Sequence, residues 1–414
     1  MLKYTGYRCS VCDREYASDE VTYTCPVDGG NLDVLLDISD LSRKTSPRDL
    51  QASMDFSMWR YLPLLPVDEP AHHGTPLRRV GWTPLYRPPR LAAGLGLKQL
   101  WLKDESTNPT ASFKDRASAL LVVRAAEVGA EVIITASSGN AGAALAGMAA
   151  ATGQMAVILV PKTAPKPKVA QLRVYGAQVL LVDGNYDAAF DLTIEAANEF
   201  GWYCRNTAYN PFTAEGKKTA GLEIWEQVLL KHNLARPLCV FVSVGDGNII
   251  AGIHKAFKDL HALGWLEQMP RLFGVQAEGA AAVAIAYASG VEDIRPVAAQ
   301  TLADSISVDL PRDGLRALRA ATQTVGAYLT VTDDEILAAI RSLGQVGVFV
   351  EPAAAAAHAG LVKAAEAGQI QTDDPCLVLL TGAGLKDTQA AIRAAGDAPI
   401  IPPTLDGLRT ALGL

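Results

Sequence analysis

From about Gly74 onward, short apolar runs alternate with helical stretches. Residues 131–135, 156–160 and 178–182 read as strands, rich in Val, Ile and Leu with little polar interruption. Residues 141–152, 166–175 and 187–200 read as the helices that follow them, and the strand rhythm resumes at 238–242, 272–276 and 376–380. Apolar runs without alternation mark strands covered on both faces, as in βαβ units with a buried parallel sheet. The pattern predicts an α/β chain of two lobes with a ligand cleft between them. The lobes are placed at 41–115 with 221–414 (larger) and at 116–220 (smaller, mobile), with no fixed-period repeat.

Two stretches at the start depart from this rhythm. Residues 1–40 hold Cys9-x-x-Cys12, twelve residues, then Cys25-Pro-Val-Asp28-Gly-Gly. Two facing turns of this kind resemble a zinc ribbon, with Asp28 where a fourth cysteine would stand. A carboxylate can ligate zinc, so the pattern is either a Cys3Asp zinc site or a ribbon that kept its shape and lost its metal. Residues 38–70 carry four prolines and the aromatics Phe56, Trp59 and Tyr61. They read as a linking arm packed on the body of the protein or on a second subunit.

Composition narrows the function classes. The 414 residues are 49% apolar and 20% charged, which is ordinary globular composition. The net charge of −7 leaves no basic surplus for a nucleic-acid partner. The longest Ala-rich stretches, 277–290 and 351–360, are interrupted and fall short of the roughly 20 apolar residues a membrane span needs. The polar and aromatic residues 1–10 do not read as a signal peptide. Six cysteines in this length point to no disulfide framework, and hence to a reducing cytoplasm.

Four loops at strand-to-helix junctions carry candidate chemistry, because open α/β sheets bind ligands there. In 108–116, Thr110 or Ser112 is placed to cap a helix starting near Phe113, with Lys114 in its first turn. The positive helix end favours the neutral amine, the form that makes a Schiff base. The alternative is a surface lysine beside Asp115. In 135–142, the amides and hydroxyls of Ser137 and Ser138 are suited to a carboxylate, and Asn140 adds a donor and an acceptor. The loop Gly245-Asp246-Gly247-Asn248 before Ile249 is suited to a phosphate, provided the Asp246 carboxylate points away. In 381–387, Thr381 is placed to aim a hydroxyl into the cleft, and the glycines let the backbone approach a flat ligand.

In this order the loops resemble the fold-type II enzymes that use pyridoxal 5′-phosphate (PLP), and among these the threonine synthase family. The Cys-rich start and residues 58–61, 81–85, 101–105 and 348–352 add to the likeness. The resemblance implies that Lys114 forms the Schiff base and later moves protons. It implies that Asn140 bonds the cofactor's phenolic oxygen, that the amides of 245–249 hold its phosphate, and that Thr381 bonds the pyridine nitrogen. Ser137 and Ser138 are implied for the substrate carboxylate. The family's arginine for the leaving phosphate is replaced by Thr213, which leaves Asn210 and Lys218, with Lys217 as extra positive charge. The implied reaction converts O-phospho-L-homoserine and water to L-threonine and phosphate in a cytoplasmic homodimer. The alternatives are another PLP-dependent β/γ-elimination or replacement, such as a cysteate synthase-like or ammonia-lyase activity, or a non-catalytic binding protein on this scaffold.

Overall fold

A computed structural model describes residues 4–414 of the chain. Thirteen strands form three sheets. Strands β1 (Gly6–Cys9), β2 (Glu15–Ala17) and β3 (Leu32–Leu35) make a small antiparallel sheet in the order β2-β1-β3. Strands β4 (Leu85–Tyr86) and β5 (Leu100–Asp104) start the large sheet. The chain then leaves to build an all-parallel sheet from β6 (Val132–Ala136), β7 (Met155–Pro161), β8 (Gln178–Val182) and β9 (Tyr203–Cys204), in the order β8-β7-β6-β9. It returns with β10 (Cys239–Ser243), β11 (Arg271–Ala277), β12 (Ala327–Val331) and β13 (Cys376–Leu380). The completed order is β12-β11-β10-β13-β5-β4, parallel except at β4.

The six strands read from the apolar pattern agree with β6, β7, β8, β10, β11 and β13 to within a residue, whereas that pattern does not mark the parallel strands β5, β9 and β12. Strand β8 differs in environment. It lies at a sheet edge, and Leu180 and Leu181 are exposed, not buried on both faces. An apolar run alone does not separate an edge strand from a central one. The arm at 38–70 packs on the body of the chain. Arg60 and Tyr61 both donate to the Glu226 carboxylate, at 2.6 and 2.7 Å, and the Trp59 indole donates to the Leu77 carbonyl.

The Lys114–Glu127 helix packs on the Phe212–Ile224 helix, and a buried polar cluster fixes the junction. Arg116, in the first turn of the first helix, reaches Glu105 at 2.7 Å and Glu223 at 2.6 Å. Lys103 of β5 reaches Glu223 at 2.6 Å, and all four side chains are fully buried. Two cations face two carboxylates, so the cluster is neutral. Burial alone would push the Glu223 carboxyl up. Arg116 and Lys103 outweigh it and hold the group below its usual range. The remaining acceptor sites are filled by the Trp82 and Thr83 amides on Glu223 and the Thr83 hydroxyl on Glu105.

Arg116→Met would leave two buried carboxylates facing one lysine. Breaking a buried pair from one side costs about 3–5 kcal/mol. Urea unfolding of this variant should show a loss of that size, and a change below ~1 kcal/mol would show that the cluster does not hold the junction.

Candidate active site

The loops singled out in the sequence converge on two adjoining cavities. The inner one, about 460 Å³, is lined by Lys114, Lys217, Thr381 and the run Gly245–Ile249, with Ser305 and Glu351 at its side. The outer one, about 1080 Å³, is lined by Ser138, Gly139, Asn140, Lys168 and Lys386. Ser305, Glu351 and Ala353 line both, so the two share a wall.

Lys114 begins its helix as expected, but neither Thr110 nor Ser112 caps it. The Thr110 hydroxyl and amide both donate to Asp115, which draws the loop back over the helix start. The buried Ser112 hydroxyl has no partner. Lys114 is therefore not a surface lysine beside Asp115. Burial lowers its pKa and Arg205 lowers it further, against the raising effects of Glu351 and Asp246. A lysine with a lowered pKa that lines a cavity is suited to act as a nucleophile and a base.

The 245–249 loop builds an anion cradle at the start of the Asn248–Ala262 helix. Gly247 has φ +91°, and a Cβ there would lie 2.7 Å from the Asp313 carbonyl oxygen. Gly245 is as tight, its Cβ falling 2.9 Å from Ile306 Cα. Asp246 lines the cavity, and its Oδ1 lies 3.4 Å from the Arg312 amide, which donates to it. Burial raises its pKa, favouring the uncharged form beside an anion.

The lysine that reaches this cradle is Lys217. Its Nζ donates to Asn248 Oδ1 at 2.6 Å. Burial lowers its pKa, and Lys114 and Arg205 lower it further. Lys218 points elsewhere, into an ion cluster with Glu215 and Asp259, and is fully buried. Asn210 is equally occupied: its amide donates to the Cys204 carbonyl and its oxygen accepts from the Phe212 amide. The structure thus brings neither Lys218 nor Asn210 to a cavity. Thr213 closes the same turn, its hydroxyl on the Asn210 carbonyl.

Asn140 and Ser138 meet the outer cavity, while the Ser137 hydroxyl accepts from the Gly139 amide. Asn140 Nδ2 donates to both oxygens of Glu351, at 2.9 and 3.0 Å. Thr381 lines the inner cavity together with Lys114. Sequence reasoning gave no site role to Glu351, Arg205, Lys168 or Lys386. Arg205 had a signal, a charge directly after the apolar strand β9. It is fully buried, its Nη2 has no partner, and burial pushes its pKa down to about 10.

These features fit pyridoxal phosphate. An amine suited to an aldehyde faces a glycine cradle suited to a phosphate. Lys114, Lys217 and Arg205 are all held below their usual pKa by burial, and the two lysines also by their cationic neighbours. A bound anion would relieve that positive surplus.

The chain matches the family model described as pyridoxal-phosphate dependent enzyme over residues 77–382. It is 39% identical to a threonine synthase of Methanocaldococcus jannaschii, over 94% of each chain. It is 37% identical to a threonine synthase of Methanosarcina acetivorans, over 98% of each. Among solved structures it is similar to a threonine deaminase of T.th., with TM-score 0.62 and 27% identity, over 82% of this chain and 98% of that one. The processed threonine deaminase isoform 2 of Solanum lycopersicum shares the fold, with TM-score 0.65 and 24% identity, over 80% of this chain and 96% of that one. With its lysine and glycine cradle in one cavity and matches that span most of its length, the chain belongs to the pyridoxal-phosphate dependent enzymes, in the threonine synthase family.

Proposed function

We propose that this enzyme converts O-phospho-L-homoserine and water to L-threonine and phosphate. The observation that carries the reading is the placement of the half-buried Lys114 amine and the Lys217-bearing cradle in one cavity, beside a larger one whose lining includes Lys168 and Lys386 as well as Asp304, Glu351 and Asp387. When bound, pyridoxal phosphate supplies an aldehyde for an amino group and a ring that accepts electron density from the substrate α-carbon. Every other part of the chemistry falls to the chain.

Lys114, its pKa lowered by burial, takes the proton from the α-carbon and assists proton loss at the β-carbon. Phosphate leaves from the γ-carbon with the C–O bonding pair, and the two protons are returned to the γ-carbon, which becomes the methyl, and to the α-carbon. Water adds its oxygen at the β-carbon, and its surplus proton goes to the released phosphate. Thr381 offers a hydroxyl to the ring nitrogen. A neutral hydroxyl there leaves the nitrogen largely unprotonated, which suits elimination and replacement and disfavours transamination. Asn140 would bond the ring's phenolic oxygen, and the amides of 245–249 with Lys217 would hold the cofactor phosphate. Ser137 and Ser138 serve the substrate carboxylate at a helix start. Lys386 and Lys168 take the place first given to Lys218, because they line the outer cavity where a leaving phosphate must sit. Six free cysteines support a cytoplasmic setting, and a homodimer follows the family habit.

The direct test is product analysis with O-phosphohomoserine against a panel of serine and homoserine esters. Equal release of threonine and phosphate is the expected result. A keto acid and ammonia from serine or threonine, with no threonine from O-phosphohomoserine, would assign an ammonia-lyase instead.

Two variants separate the lysines. Lys217→Met removes a charged hydrogen bond worth about 1.5–3 kcal/mol, so cofactor affinity should fall roughly tenfold to a hundredfold in fluorescence titration. Lys218→Met should leave that affinity within about twofold and instead lower the unfolding free energy by about 3–5 kcal/mol. Lys386→Ala should cut kcat/KM for O-phosphohomoserine by about a hundredfold or more with an unchanged cofactor spectrum. Unchanged kcat/KM would remove Lys386 from the leaving-group site.

A further inference from the structure

We propose that Cys9, Cys12, Cys25 and Asp28 form a tetrahedral zinc site that staples the small sheet to the enzyme. The inference stands apart from the reaction proposed above. The four donor atoms all lie within 4.8 Å of one another. Two of the six separations, one between sulfurs and one between sulfur and carboxylate, match the edges of a tetrahedron around zinc. With Zn–S about 2.3 Å and Zn–O about 2.0–2.2 Å, tetrahedral edges are about 3.8 Å between sulfurs and about 3.5 Å between sulfur and oxygen. Cys12 Sγ and Cys25 Sγ are 3.8 Å apart, and Cys9 Sγ is 3.3 and 3.6 Å from the two Asp28 oxygens.

The surroundings are shaped to hold these donors. The Val11 amide donates to Cys9 Sγ at 3.3 Å, and the Gly30 amide donates to Asp28 Oδ1 at 2.8 Å. Such bonds orient ligands from behind. Gly30 keeps the centre open, since a Cβ there would lie 2.7 Å from Cys9 Sγ and 2.9 Å from Asp28 Oδ1. The Tyr16 hydroxyl sits 3.0 Å from Cys25 Sγ. A disulfide is not the reading, because the S–S separation of Cys12 and Cys25 is far beyond the roughly 2.05 Å bond. One carboxylate among three thiolates favours zinc over copper(I), which seeks an all-soft set, and over the all-sulfur coordination of iron.

The site also has work to do in the fold. The small sheet has strands of only three or four residues, and Tyr7, Leu32 and Val34 pack it on the body of the enzyme. It also grips the loop that leads to the inner cavity. The Cys204 amide donates to the Tyr23 hydroxyl and Asn31 donates to the Ala208 carbonyl, on either side of the cavity residue Thr207. From β3, Asp33 accepts from Arg316, which pairs with Asp313, which accepts from Asn248 of the cradle. A metal in the two turns would hold the near end of both connections.

The test is zinc content of the holoenzyme, loaded with Zn²⁺, passed through gel filtration and measured by plasma mass spectrometry. Wild type and Asp28→Cys should each retain about one zinc per chain. Cys12→Ser, at an exposed position, and Asp28→Ala should retain much less while keeping the absorbance of bound cofactor as a sign of folding. A chelator should lower the unfolding midpoint of wild type and leave that of Asp28→Ala unmoved. Wild type that retains no more zinc than the Cys12→Ser/Asp28→Ala double variant, or that takes up iron in preference, would overturn the proposal.

Discussion

The structure depends on burying Arg116 in charge balance directly behind the reactive lysine. Residues 114 and 116 share one helix start, so whatever fixes the guanidinium fixes the amine. Glu105, which follows β5, and Glu223 from the Phe212–Ile224 helix grip Arg116 from two elements. Lys103 balances the second carboxylate. Unpaired, any one of these charges would be costly in a site without water. Paired, they define one position for the helix that presents Lys114. The segments 81–85 and 101–105, which carry much of the family likeness, meet in this cluster. Their contribution to function is positional.

The cavity follows the opposite rule. Lys114 and Lys217 line it and the fully buried Arg205 stands behind them on Thr207, with Asp246 and Glu351 as partial compensation. The cradle's amides add further positive character at the helix start. A polar site that is incompletely balanced on its own is suited to an anionic ligand, because binding supplies the missing charge. Burial first, and Arg205 after it, lower the Lys114 pKa in this setting. Stability and reactivity are thus divided between neighbouring residues: 116 is saturated with partners and 114 is left without them.

Much of this was legible in the chain. Uninterrupted apolar runs gave six of the nine parallel strands, and β5, β9 and β12 were missed because they are short or carry polar residues. The small, glycine- and hydroxyl-rich loops gave all four cavity segments, since helix starts after β-strands are where amides are free. The cysteine spacing gave the two turns of the small sheet. The misses have physical causes. Strand β8 carries the same apolar residues as its neighbours, and only the order of strands makes it an edge. The Thr110 hydroxyl is a natural cap by position, but Asp115 offers it a charged acceptor.

The choice between adjacent lysines belongs to tertiary structure alone. Lys217 and Lys218 are neighbours on the Phe212–Ile224 helix, so their side chains leave it about 100° apart. One direction meets Asn248 and the cradle, and the other meets Glu215 and Asp259. Nothing in the local sequence says which face the cavity will occupy, because that is set by how this helix packs against the Lys114–Glu127 and Asn248–Ala262 helices. The sequence by itself determined six of the parallel strands, the cavity loops and a lysine at a helix start, all of which rest on local periodicity and on groups within one turn. Tertiary packing decided which buried charges are paired and which face the ligand, because a charge's role depends on neighbours that are distant along the chain.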